Sequence, residues 1–175
     1  IIQILTNPFA LTEGFAGPEQ PAGAIPQYDD ELSSWSAPFI MAPINTKNIH
    51  RSNFLLGHRY GMDFRYDEML LTGDGEQGKA TAEFVAKDDS VAKSELQPGD
   101  GPTKEERENG DYEAIFAGTS SDGELMISSV KGDRDPGYGS TSKMLAEAAM
   151  CLLKNPELAS GGLWTPAAAL GEKLV

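Results

Sequence analysis

The sequence is short of cysteine, histidine and cations, and it has no long apolar run. Each shortage removes a class of function. One cysteine, Cys151, among 175 residues cannot close an internal disulfide, so packing and hydrogen bonds must hold the fold. A reducing, cytoplasmic setting is expected. The two histidines, His50 and His58, have no cysteine beside them and lack the close ligand spacing of common zinc sites, so no metal centre is expected. No stretch of about 18 apolar residues occurs, which leaves no transmembrane segment to propose. Only 14 Lys and Arg stand against 27 Asp and Glu, a net charge of −13. Nucleic acid and anionic membranes are bound through clustered cations, so neither is an expected partner. The phosphate-loop pattern and the Gly-x-Ser-x-Gly elbow are both missing. The start, Ile1-Ile2-Gln3-Ile4-Leu5, has no basic region or cleavage site of a signal peptide, and it opens in mid-pattern. It reads as the end of a helix within a piece of a longer protein, stopped by Thr6-Asn7-Pro8.

What is present is punctuated by glycine and proline. Residues 12–30 carry Gly14, Gly17, Pro18, Pro21, Gly23 and Pro26, a long surface connection with little core material. The apolar stretch Trp35 to Ile44 contains Pro38 and Pro43, which favour an extended path into a helix with proline in its first turn. The helix over residues 44–56 has a dense polar face of Asn45, Asn48, Arg51, Ser52 and Asn53. Two readings stand: a solvated face, or a polar pocket wall with Arg51 as an anion anchor. A strand is expected over Phe64–Thr72, a helix over residues 76–96, and a capping box at Thr103 and Glu106. Strands over 111–118 and 124–131, joined by Ser120-Ser121-Asp122-Gly123, make an antiparallel hairpin.

The hairpin leads into the glycine-rich turn Gly132-Asp133-Arg134-Asp135-Pro136-Gly137-Tyr138-Gly139-Ser140-Thr141-Ser142 and a helix over residues 143–153. A helix N-terminus offers unpaired N–H groups to an anion, and the same sequence also suits a tight turn before a capped helix. Asp133 and Asp135 suit capping, and Tyr138, held between two glycines, is a candidate pocket group. Gly137-Tyr138-Gly139 lacks the third glycine of a dinucleotide fingerprint. Met144, Leu145, Ala148, Cys151 and Leu152 form the expected buried stripe, with Lys143 and Glu147 as an ion pair away from it. Thr165 is the expected N-cap of a last short helix that starts at Pro166. The fold class is α+β: the hairpin and the strand over 64–72 make a mostly antiparallel sheet, with the helices over 76–96 and 141–153 packed on one face.

The block from Gly132 to Leu152, followed by Gly161-Gly162-Leu163-Trp164-Thr165-Pro166-Ala167-Ala168-Ala169, resembles the C-terminal part of saccharopine dehydrogenase-like oxidoreductases, a group that includes trans-acting enoyl reductases. Ala37–Ala42, Ile44-Asn45-Thr46, Arg51-Ser52-Asn53 and Phe64-Arg65-Tyr66 resemble it in the same order. The resemblance implies that residues 1–175 are one C-terminal substrate and dimerisation domain, whose parent carries an N-terminal Rossmann domain absent here. NAD or NADP is then implied for the parent, with no cofactor in this part, which alone is not expected to turn over. The implied partners are a small-molecule substrate, lipid-like or amino-acid-derived, and a second copy in a homodimer. Asn45, Arg51, Asn53 and Tyr138 are the candidate substrate-binding residues. The alternative is a non-catalytic module for oligomerisation or partner binding.

Overall fold

The computed structural model describes residues 6–88, 100–158 and 160–174. In chain order it contains β1 (Gln27–Asp29), β2 (Ser34–Pro38), α1 (Ala42–Leu55), β3 (Met69–Gly73), α2 (Gly75–Lys87), α3 (Lys104–Asn109), β4 (Tyr112–Thr119), β5 (Leu125–Gly132), α4 (Gly139–Lys154) and α5 (Pro166–Leu170), which runs into a 3-10 turn (Gly171–Leu174). All strand pairings are antiparallel, and the class is α+β. Two compact units are present: residues 6–88 with those from 157 onward, and residues 100–156.

The first unit is built on a three-stranded sheet in the order β1-β2-β3. Its central strand buries Ser34 and Ser36 on one face and Ala37 on the other. Helix α2 packs on β2 and β3, and fully buried Ala82 and Ala37 permit the close approach. A β-carbon on Gly78 would stand 2.0 Å from the Gly73 carbonyl oxygen, so only glycine fits at that point of α2. The Thr72 hydroxyl bonds the Gly78 carbonyl at 2.9 Å, and the Lys79 ammonium lies 5.5 Å from the centre of the Trp35 ring. Asp74 caps α2 by accepting from the Gly75 N–H and also accepts from the Tyr28 hydroxyl. Helix α1 starts with proline in its first turn, as the sequence implies, and packs against α5.

Rings and histidines join the first unit's loops to α1. Phe9 lies 4.5 Å from His50 and Phe15 lies 4.3 Å from His58, centroid to centroid. Phe64 contacts His50, Tyr60 and Tyr66 in turn. The buried residues here are mostly small or polar, and among the described residues the buried hydrophobic ones are Ala37, Ala82 and Leu170.

In the second unit, the expected capping box is formed: Glu106 N–H donates to Thr103 Oγ1, and Thr103 N–H donates to the Glu106 carboxylate. β4 and β5 pair over eight residues each without a register shift. Tyr112 sits across from Gly132, where a β-carbon would collide with its ring, so the ring covers the bare backbone.

Several local expectations are corrected. The strand expected over Phe64–Thr72 begins only at Met69, and it pairs with β2 rather than with the hairpin, giving two separate sheets. Residues 76–96 were expected to be one helix; α2 ends at Lys87, with Asp88 as its extended C-cap, and 89–99 lie outside the described residues. The helix expected over Ile1–Leu5 also lies outside them. On α4, Met144, Leu145 and Leu152 are exposed, Leu145 at 70%, and only Ala148 and Cys151 are half-buried. The 3.6-residue period identified an apolar stripe, yet no described element packs closely enough to cover it. Lys143 pairs with Asp133 at 2.9 Å instead of Glu147, because the turn brings that carboxylate beside the helix. Thr165 stands at the N-cap of α5 without a side-chain capping bond, its hydroxyl being engaged by Ser52.

Candidate functional site

Helix α1 projects the polar face identified in the sequence, and its side chains divide between holding loops and lining a cavity. Arg51 does both. Its guanidinium donates to the Leu11 carbonyl at 2.8 Å and to the Leu163 carbonyl at 2.9 Å, joining segments 40 and 112 residues away in sequence. A guanidinium carries five N–H donors, so these two bonds leave capacity for a ligand. The pocket beside it has a volume of about 490 Å³ and is lined by Leu11, Asn48, Arg51, Leu163, Trp164, Thr165 and Pro166. Leucine, tryptophan and proline give apolar walls, with one cation and two uncharged polar groups to orient what enters.

The two asparagines make other contacts. Asn53 is buried; its amide donates to the Gly61 carbonyl and accepts from the Tyr60 N–H, both at 2.8 Å. It thereby fixes the loop after α1, where Gly57 and His58 both have positive φ. Asn45 donates to Glu68 Oε1 at 2.9 Å, while Glu68 Oε2 is buried with no partner among the described residues. Nearby, burial and the carboxylates of Glu68 and Asp67 push the Tyr66 phenol up to about 12, so it stays protonated at neutral pH. Burial also pushes the Asp67 carboxyl up, with Asp29 adding to the effect. His50 is 3% exposed with an unpaired Nε2, and burial lowers its pKa. Lys47 is buried too, its ammonium donating to the Pro43 carbonyl, and burial lowers its pKa.

Tyr138 belongs to the second unit. It occupies the N-cap position of α4, with its ring against Gly101 and its hydroxyl donating to the Asp100 carbonyl at 3.2 Å. The turn around it is organised by Asp135. That carboxylate accepts from the N–H groups of Gly137, Tyr138 and Gly139, while the Asp135 N–H donates to the Arg107 carbonyl. Desolvation pushes the Asp135 carboxyl up, but the N–H groups of Tyr138, Gly139 and Gly137, together with Arg107, outweigh it and hold the pKa low. A fixed negative charge thus stands where an anion would approach the turn and the first amide of the helix. Of the two readings of the turn, the tight turn is the one formed: Asp135 gathers its amides, Asp133 pairs with Lys143, and Tyr138 at the N-cap makes no side-chain capping bond.

Sequence reasoning singled out Arg51 in the pocket and named Asn48 among the donors. It gave no role to Leu11, Leu163, Trp164, Thr165 or Pro166 as lining. A signal for most of them was the block Gly161–Ala169, which carries the family resemblance. Among the described residues, no three or more His, Cys, Asp or Glu side chains gather as metal ligands. No helix among them is long and apolar enough to cross a membrane.

The chain is similar to trans-acting enoyl reductases. It is 34% identical over 160 residues to a Mycobacterium tuberculosis protein named as a candidate trans-acting enoyl reductase, in an alignment covering 81% of this chain and 38% of the relative. It is 29% identical to the trans-acting enoyl reductase of Mycobacterium bovis, covering 99% of this chain and 48% of that protein. The identity is 27% to the Mycobacterium ulcerans trans-acting enoyl reductase, over 81% and 38% of the two chains. The chain thus spans less than half the length of these curated relatives. No protein-family model matches it, and no solved structure matches it.

Proposed function

We propose that this chain is the substrate-binding and oligomerisation part of an enoyl-reductase-like oxidoreductase of the saccharopine dehydrogenase-like group. The observation that carries this reading is the 99% coverage of the chain by an alignment with a trans-acting enoyl reductase more than twice as long. In this reading the rest of the parent holds NAD or NADP in a Rossmann domain. A bound nicotinamide cofactor would supply hydride for reduction of a carbon–carbon double bond. The Asp135 carboxylate already takes the amides of Gly137 and Tyr138 in the turn and of Gly139 at the start of α4, so the glycine-rich turn is given no part in holding the nucleotide.

The chain's own contribution is orientation of the acceptor. Arg51 anchors an anionic or carbonyl oxygen of a small, lipid-like or amino-acid-derived substrate, and the walls of Leu11, Leu163, Trp164 and Pro166 hold its apolar part. Asn45 and Asn53 fix the polypeptide around that helix, and Tyr138 positions its own turn. The protein acts in the cytoplasm as a homodimer.

Thermal unfolding with NADH and NADPH tests the division of labour. Either nucleotide should raise the melting temperature of the full-length parent and leave that of the 175-residue chain unchanged. A parent that responds to neither nucleotide overturns the oxidoreductase reading. In a responsive parent, Arg51→Lys keeps the charge but loses the two-pronged donor geometry, and should raise KM at least tenfold with the fold intact. An unchanged KM would remove Arg51 from the substrate site.

A further inference from the structure

The β4–β5 hairpin exposes apolar residues on both faces. Cross-strand register places Tyr112, Ala114, Phe116 and Gly118 with Met126, Ser128, Val130 and Gly132 on one face, which carries no charge. The other face holds Ile115, Ala117, Ile127 and Leu125, with the Glu113–Lys131 ion pair at one end. Phe116 is 50% exposed, Met126 76% and Val130 55%. The hairpin therefore leaves large apolar side chains open on each of its faces. Two strands alone are marginal in water, and stability comes with a third strand or a covering layer. Among the described residues, β5 pairs only with β4.

The outer edge of β5 is uncharged over its first six residues. Natural edge strands are blunted by lysine, proline, a bulge or shortness. Leu125-Met126-Ile127-Ser128-Ser129-Val130 has no charge, proline or glycine, and its ladder runs without a bulge. Lys131 and Gly132 close the strand beyond this uncharged run.

We propose that the free edge of β5 pairs antiparallel with β5 of a second copy, making a continuous four-stranded sheet. The proposal rests on the homodimer reading above and names its surface. A second copy suits the edge because the strand complements itself. A twofold axis perpendicular to the sheet sets residues of equal parity opposite each other. With the axis at Ser128, that residue faces its own copy and Met126 faces Val130, so no like charges meet. In a chain of net charge −13, an uncharged six-residue run is where a second copy can approach without repulsion between fixed acids.

Sedimentation velocity on the 175-residue chain tests this. The wild type should form a discrete dimer. Ser128→Lys and Ser128→Glu, at an exposed position, should each weaken dimerisation at least tenfold, and an equal mixture of the two should recover a heterodimer. In a Cys151→Ala background, Ser128→Cys should oxidise to a disulfide-linked dimer. Directly opposed residues in paired strands are within disulfide reach, whereas stacked sheets about 10 Å apart are not. A monomeric wild type, or one forming only open-ended aggregates, overturns both this pairing and the homodimer reading. A dimer indifferent to both charges overturns the β5 edge alone. Charge swapping that works without the disulfide replaces edge pairing with sheet stacking.

Discussion

The two units of this chain solve opposite problems. The first, on residues 6–88 and from 157 onward, buries Thr12, Ser34, Ser36, Lys47, His50, Ser52, Asn53 and Thr165 beside a few small apolar side chains. Most of these polar groups have hydrogen-bond partners, so the interior is specified by geometry as much as by apolar area. The second unit buries little beyond Gly139 and Ser140 and leaves long apolar side chains on β4, β5 and α4 in the open. The difference separates a polar scaffold suited to holding a pocket from a surface suited to association.

The sharpest way to break the comparison is at the tight contact of the first unit. Gly78→Ala gains helix propensity but drives a β-carbon into the Gly73 carbonyl, and overpacking should win by about 1–3 kcal/mol. Urea unfolding measures it, and a stabilised variant would show that α2 does not lie closely on β3.

A smaller effect separates the units by pH. His50 is lowered below its ordinary value of 6.5, so its neutral form is the one the fold favours. Its contribution is present above pH 6.5 and is lost as the pH falls from there toward the lowered folded value. The depressed carboxyls of Glu106, Asp122, Asp133 and Asp135 belong to the second unit. They contribute above the usual carboxylate range, and that contribution is lost as the pH falls through their lower folded values. Stability measured from pH 8 to 5 should therefore decline because of the first unit, and His50→Phe, which suits the ring cluster, should flatten the decline. An identical slope in the variant would remove His50 as its cause.

The smallest effect is expected on α4. Leu145→Gln should change the stability of the isolated chain by less than about 0.5 kcal/mol, since the leucine is already in water. A loss above about 1 kcal/mol would show that the stripe is covered in solution.

Much of the local structure was legible in the residues. Proline at the start of α1, the Thr103–Glu106 capping box and the Ser120–Gly123 hairpin all rest on contacts a few residues apart, where local chemistry suffices. Arg51 was legible as a donor, but its engagement by Leu11 and Leu163 was not, because those partners lie far away in sequence. The strand at Met69 was placed too early and given the wrong neighbour for the same reason.

By itself, the sequence determined the proline start of α1, the Thr103–Glu106 cap, the hairpin turn, the α+β class and the apolar stripe on α4. It also carried the likeness to trans-acting enoyl reductases. Tertiary structure decided that β3 joins β2, that Thr165 meets Ser52 instead of capping its own helix, and that Asp135 fills the amides of the glycine-rich turn. The physical reason is that periodicity defines an apolar or polar face, while only chain packing selects the partner that face or donor meets.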